Sequence, residues 1–268
     1  MILLTLAQSV RLTWNNGVRY IPLLQNLISR ELKKKYRKSV LGYLWCVLNP
    51  LFVMLIMTFV FSYMFRHNIE NYPVYLFSGR MLYSFITDST TSLSRSIISN
   101  GPLLRKTRIP YYIFPASSFC SAVVNFGFTL IAFAIVLAFT GTPVSIHVVA
   151  FPLVLLELFM FSFGLGMILA QANTFLRDAG YLYAVFTTAW MYLTPLFYPI
   201  ESLPATVQSL ITRFNPAYFY VSQGRAIFLD HLWPDPAMLL RGAIAGVLFL
   251  ILGMVTYAKT RDKLIYYV

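Results

Sequence analysis

Charge is scarce in this chain. Of 268 residues only 11% are Asp, Glu, Lys or Arg, and just nine are acidic; an ordinary soluble domain carries about 25% charged residues. Cysteine is nearly absent. The two present, Cys46 and Cys120, fall inside long apolar stretches, which excludes a disulfide framework and a thiolate metal site. The three histidines, His67, His147 and His231, lie far apart in polar connections, so no imidazole cluster is expected to bind metal or catalyse a reaction. There is no GxxxxGK[ST] phosphate loop, no HExxH and no GxSxG elbow. Any energy-driven work therefore needs a second subunit to supply the energy. The opening residues MILLTLAQSV lack a basic n-region, a long apolar core and a small-residue cleavage site, so no signal peptide is expected.

The chain is rich in apolar residues, at 58%, and in aromatic ones, at 17%. With a mean hydropathy of +0.68, these values describe an all-α polytopic membrane protein. Six spans near the required length of about 20 residues are expected at 42–65, 74–98, 112–139, 147–171, 180–198 and 238–258. The net charge of +12 would suggest nucleic acid in a soluble protein. Here, sixteen of the 21 Lys and Arg fall in segments that this topology places in the cytoplasm, so no nucleic-acid partner is inferred. The basic excess reads as a topology signal and as attraction to anionic membrane lipid. Both termini are expected on the cytoplasmic side. The organisation is then a cytoplasmic segment over 1–41, a six-helix transmembrane domain over 42–258 and a cytoplasmic tail over 259–268.

The strongest topogenic signal is RELKKKYRKSVLGYLWCVLNP over 30–50, where Lys33, Lys34, Lys35, Arg37 and Lys38 pass directly into the first span. Just before it, residues 21–38 form an amphipathic pattern. Leu24, Ile28 and Leu32 recur at helical spacing, and Arg30, Lys33, Lys34 and Arg37 fill other faces. Such a helix lies in the membrane interface plane, either as a plain anchor or as a surface for phosphates or a soluble partner.

The second predicted span is too polar to face lipid. Ser84, Asp88, Thr91 and Arg95 share one helical face, so this span lines a cavity or buries that face against neighbours. Asp88 and Arg95 are open to either a structural pairing or a role in conduction, as is Glu157, alone in the fourth span. Trp45, Phe52, Phe59 and Tyr63 form an aromatic stripe on the first span, compatible with packing, lipid contact or a ring-lined pathway for sugars. Gly242 with Gly246, and Gly166 with Ala170, read as close-packing sites. The stretch 194–230 is apolar but interrupted by Pro195, Pro199, Pro204 and Pro216, so it cannot be one helix. Ser202-Leu203-Pro204 and Asn215-Pro216 look like helix starts, which gives a re-entrant helical hairpin between spans five and six.

Three segments, KYRKSVLGYLWCVLNPL, GPLLRKTRIPYYIFP and PLFYPIESLP with NPAYFYVSQGR, together resemble the transmembrane subunits of ABC-2 type transporters, in particular exporters of O-antigen, teichoic acid and capsule polysaccharide. The resemblance implies a homodimer with two ATP-binding cassette subunits, ATP and Mg being held on those partners and no cofactor on this chain. It also implies a bacterial inner or plasma membrane location and a lipid-linked glycan as substrate. ATPase docking is implied for Arg30, Glu31, Lys34, Leu103, Leu104, Arg105, Lys106, Arg177 and Asp178. Lys35, Arg37 and Lys38 would meet the substrate head group at the entrance, and Trp45, Phe52, Phe59, Tyr63, Phe186, Trp190 and Phe197 would line the pathway. A small-molecule or drug exporter of the same class is the alternative. An ion-coupled transporter using Asp88 and Glu157 is a more distant one, lacking any obvious internal repeat. A membrane-embedded transferase would need a base or paired carboxylates, and no convincing set is present.

Overall fold

The computed structural model describes residues 20–34, 39, 41–65, 69, 71–104, 109–264 and 267, the side chains of 62–65 excepted. Ten helices and short 3-10 turns account for nearly all of these residues, and no strand occurs among them. Helix α1 covers 20–34. It is followed by α2 (Trp45–Phe65), α3 (Tyr72–Ser99), the single turn α4 (Gly101–Leu104), α5 (Ile113–Thr140), α6 (Phe151–Phe175) and α7 (Ala179–Leu193). The last three are α8 (Ala205–Phe214), α9 (Pro216–Phe228) and α10 (Pro236–Thr260).

A helix coincides with each predicted span, but among the described residues four segments combine the length and apolarity of a membrane crossing: Gly42–Phe61, Ile113–Thr140, Ile146–Phe175 and Pro236–Thr260. The other two fall short for different reasons. Helix α3 is long enough at 28 residues but carries a continuous polar face. Helix α7 has 15 residues, about 22 Å at 1.5 Å per residue, against a hydrocarbon core of about 30 Å.

Helix α3 is the axis of the bundle. Leu76, Leu82, Ile86, Leu93 and Ile97 are buried along it, packed between α5, α6 and α9. Helices α6 and α10 approach each other through glycine. A Cβ at Gly246 would stand 2.9 Å from the Glu157 carbonyl oxygen, and one at Gly253 would stand 2.5 Å from that of Gly164. The Gly242-Gly246 pair thus serves packing, as its spacing predicts. Glu157 is buried at 3% exposure in the space that Gly242 leaves open, and accepts a hydrogen bond from Gln223 Nε2 at 3.2 Å.

A second, smaller core gathers one end of the bundle. Leu27 of α1 packs with Ile97, Leu104, Ile113, Phe114, Ala170 and Leu264. The ends of α3, α6 and α10 and the start of α5 therefore meet α1 at the same level. Leu27 is the buried residue of α1, and Leu23, Leu24, Ile28 and Leu32 are half-buried. Through this side α1 rests on the bundle.

The proline-broken stretch does contain two short helices. Asn215 caps α9 as expected, accepting from Ala217 N at 3.1 Å. Ser202 does not cap α8; Pro204 takes that position, and the Ser202 hydroxyl bonds back to the Pro199 carbonyl at 2.7 Å. Between α7 and α8 the backbone unwinds, and four consecutive carbonyls are claimed by side chains. Arg225 donates to Pro195 O at 2.8 Å and to Leu196 O at 3.0 Å. Tyr72 donates to Phe197 O at 3.0 Å and Tyr75 to Tyr198 O at 2.7 Å. Side chains thus pair the carbonyls that this irregular backbone leaves outside any helical ladder. The Arg225 guanidinium also lies 3.6 Å from the centroid of the Tyr75 ring, a favourable cation–π geometry.

Candidate functional site

The polar face of α3 opens onto two adjoining cavities, of about 910 Å³ and 340 Å³. They share Ser84, Thr87, Asp88 and Thr129, so together they form one groove. Its polar floor runs along α3 from Arg80 to Ser99, a rise of about 28 Å at helical pitch. Helix α5 contributes Ser118, Ser121, Asn125 and Thr129 as one wall, while α2 closes the smaller cavity through Asn49, Pro50 and Val53. Helix α1 brings Glu31, Leu32 and Lys34 to the far end of the larger one.

Several hydroxyls of this groove are already tied to their own helices. Ser84 donates to Met81 O at 3.1 Å and Thr87 to Ser84 O at 3.1 Å, and on α5 Thr129 donates to Asn125 O at 3.3 Å. With its proton committed to the backbone, each hydroxyl oxygen keeps lone pairs for an incoming donor. Such a surface accepts hydrogen bonds from a polyhydroxylated molecule at many points and holds it tightly at none.

The sequence-predicted residues are distributed unevenly. On α2, Phe52 and Phe59 are 48% and 69% exposed, Trp45 is exposed beside Phe52 at a 6.4 Å ring separation, and the Tyr63 side chain lies outside the described residues. Phe186 on α7 is exposed as well. Trp190 and Phe197 are placed differently. At 7% and 4% exposure they are inside the chain: Trp190 Nε1 donates to Asn215 Oδ1 at 2.8 Å, and Phe197 stacks on Phe61 at 5.0 Å. In this arrangement neither ring reaches an open surface.

Among the docking candidates, Arg30 donates to Asn100 Oδ1 at the end of α3, and Glu31 accepts from Ser118 Oγ at 2.9 Å. Both hold α1 to the bundle. Leu104 is buried in the core around Leu27, with Leu103 packed beside it. Lys34 is exposed, as are Arg177 and Asp178 in the turn between α6 and α7. Lys35, Arg37, Lys38, Arg105 and Lys106 lie outside the described residues. Two features escape a reading of the sequence. The α5 stripe has a signal, polar residues at 118, 121, 125 and 129, a helical spacing in an otherwise apolar span. Arg225 has none, because a lone arginine between prolines looks like a loop charge. No group of three or more His, Cys, Asp or Glu that could hold a metal occurs among the described residues.

An apolar helical bundle with a polar groove along its central helix defines a multi-pass membrane protein of the transporter type. The chain belongs to the ABC-2 type transporter family, whose model matches residues 22–229. It is 31% identical over 246 residues to the O-antigen export system permease protein RfbA of Myxococcus xanthus, covering 91% of this chain and 95% of that protein. An RfbA of Klebsiella pneumoniae is 30% identical, with 83% and 85% covered. The capsule polysaccharide export inner-membrane protein CtrC of Neisseria meningitidis is 23% identical, with 69% and 71% covered.

Proposed function

We propose that this chain is the membrane subunit of an ATP-driven exporter that carries lipid-linked polysaccharide across the bacterial inner membrane. The observation that carries the reading is the groove: its hydroxyl-lined floor extends about 28 Å along α3, close to the thickness of the hydrocarbon core. A long sugar polymer needs a path on which many weak contacts follow one another, and the names of the relatives supply the glycan class. Two copies of the chain face each other, with the exposed rings of α2 and α7 turned toward the shared path. Two separate ATPase subunits, which hold ATP and Mg, dock at the α1 end, where Arg177 and Asp178 stand free of the bundle core.

The same reading gives six crossings, counting the polar α3 and the short α7, with α8 and α9 as a hairpin dipping in from the outer side. The described basic residues support this orientation: Arg30, Lys33 and Lys34 of α1, Arg95, Arg177, Lys259, Arg261 and Lys263 all belong to the segments gathered at the α1 end. Deleting the gene is expected to remove polysaccharide from the cell surface and leave polymer inside the cell. An unchanged surface glycan, with export of a small molecule lost instead, would sink the polysaccharide reading.

A narrower expectation concerns the rings. Phe59→Leu keeps most of the apolar volume of an exposed side chain, so the amount of chain in the membrane should not change. Polysaccharide export should fall about fivefold, the effect of losing about 1 kcal/mol of ring contact. Normal export from this variant would assign the stripe to lipid contact.

A further inference from the structure

A charged side chain on a membrane-spanning helix is expensive unless water, a protein group or a ligand of opposite sign matches it. Arg95 is such a residue. It stands on the cavity-lining face of α3, is exposed to the larger cavity, and makes no ion pair or hydrogen bond with any described residue. Lys34 of α1 lines the same end of the cavity, together with the hydroxyls of Ser92, Ser99 and Ser118. Two carboxylates also line the groove, Glu31 at this same end and Asp88 further along α3. Glu31 accepts from Ser118 at 2.9 Å. Asp88 lies seven residues before Arg95 on α3, about 10 Å along the axis, and within electrostatic reach of Arg80.

We infer that the α1 end of the groove is a binding site for a phosphoryl group, the phosphate or pyrophosphate that joins a polyhydroxylated head group to its lipid. Arg95 is the principal ligand, Lys34 the second cation, and the hydroxyl of Ser92 completes the shell, that of Ser99 already donating to Ser96 O at 3.3 Å. A guanidinium presents a fork of donors that matches phosphate oxygens in pairs. A cavity of about 910 Å³ also leaves room for sugar beyond the phosphoryl group. The inference rests on the exporter reading. Its residues are not those of the entrance expected at Lys35, Arg37 and Lys38; it lies inside one chain, between α1, α3 and α5.

The test uses the full chain in phosphatidylcholine nanodiscs and a radiolabelled polyprenyl pyrophosphate as probe. The wild type should bind the probe, and inorganic pyrophosphate should compete. Arg95→Gln should weaken binding at least about tenfold, the ratio produced by losing one charge-assisted hydrogen bond. Arg95→Lys should fall between the two, and Lys34→Gln should weaken binding less than Arg95→Gln. Unchanged binding in the Arg95→Gln chain overturns the site; if that chain does not fold, unchanged binding in both Arg95→Lys and Lys34→Gln overturns it. Phosphatidylglycerol added to the discs should not displace the probe. Displacement as effective as that by pyrophosphate would mean a site for bulk anionic lipid, and would also overturn the inference. Failure here leaves the exporter reading standing as long as gene deletion removes surface polysaccharide; if deletion leaves the surface unchanged, the exporter reading itself has failed.

Discussion

Replacing Arg225 with methionine is expected to destabilise the folded chain by about 2–6 kcal/mol, the cost of leaving two buried carbonyls without donors at about 1–3 kcal/mol each. The carbonyls of Pro195 and Leu196 cannot turn to other partners easily. Proline at 195 and 199 prevents the segment from closing into helix, so the backbone has no ladder of its own to fall back on. An opposing effect exists, since removing a buried cation also removes its desolvation cost. That cost is partly offset in the native chain by the Tyr75 ring 3.6 Å from the guanidinium, so the orphaned carbonyls decide the sign. Gly79 belongs to the same arrangement: a Cβ there would come within 2.9 Å of an Arg225 nitrogen.

Thermal unfolding of the purified chain in detergent, followed by tryptophan fluorescence, measures the effect. Trp190 reports locally, because its indole bonds to Asn215 at the start of α9. Arg225→Lys keeps the charge but lacks the fork that reaches both carbonyls, and should lose about half as much. Arg213→Gln, on an exposed position of α8, should change stability by less than about 0.5 kcal/mol. If the methionine variant melts with the wild type, the side-chain latch does not hold the break.

The helices were legible in the sequence because their signals are local: apolar runs of sufficient length, a polar face at helical spacing on α3, and prolines that forbid a helix over 194–204. The cavity followed from the same face, since Ser84, Asp88, Thr91 and Arg95 have no inexpensive place against lipid. What stayed hidden depends on which neighbour a residue meets. Trp190 and Phe186 look alike in the sequence, yet one is buried among Tyr83, Phe161 and Asn215 while the other is exposed. Lipid and protein interior are both apolar, so the rings carry no mark of their side. Arg225 was the hardest case, because its partners are carbonyls 29 and 30 residues away, and backbone carbonyls leave no trace in residue identity.

Glycine to alanine changes along the bundle should differ in sign from site to site, with Gly164→Ala the most damaging. A Cβ at Gly164 would overlap the carbonyl group of Phe249 on α10, and a backbone atom cannot swing aside as a side chain can. Relief requires α6 and α10 to separate, which would also loosen Gly246 against Glu157 and Gly253 against Gly164 itself. A loss of about 3 kcal/mol or more is expected, at the upper end for overpacking a tight interior. For Gly166→Ala the nearest atoms are those of the Leu93 side chain, Cδ2 at 2.5 Å and Cβ at 3.0 Å, and a rotamer change with a small shift of that Cβ should limit the cost to about 1–2 kcal/mol. Gly127 lies inside α5 with no neighbouring atom within 4 Å of the place a methyl group would take, so Gly127→Ala should stabilise the chain by about 0.5–1 kcal/mol through helix propensity and a less flexible unfolded state. Thermal unfolding of the three variants in one detergent gives the ranking directly. If Gly164→Ala proves no worse than Gly166→Ala, the α6–α10 contact is not as close as its backbone positions state, and the packing of the fourth and last spans must be redrawn.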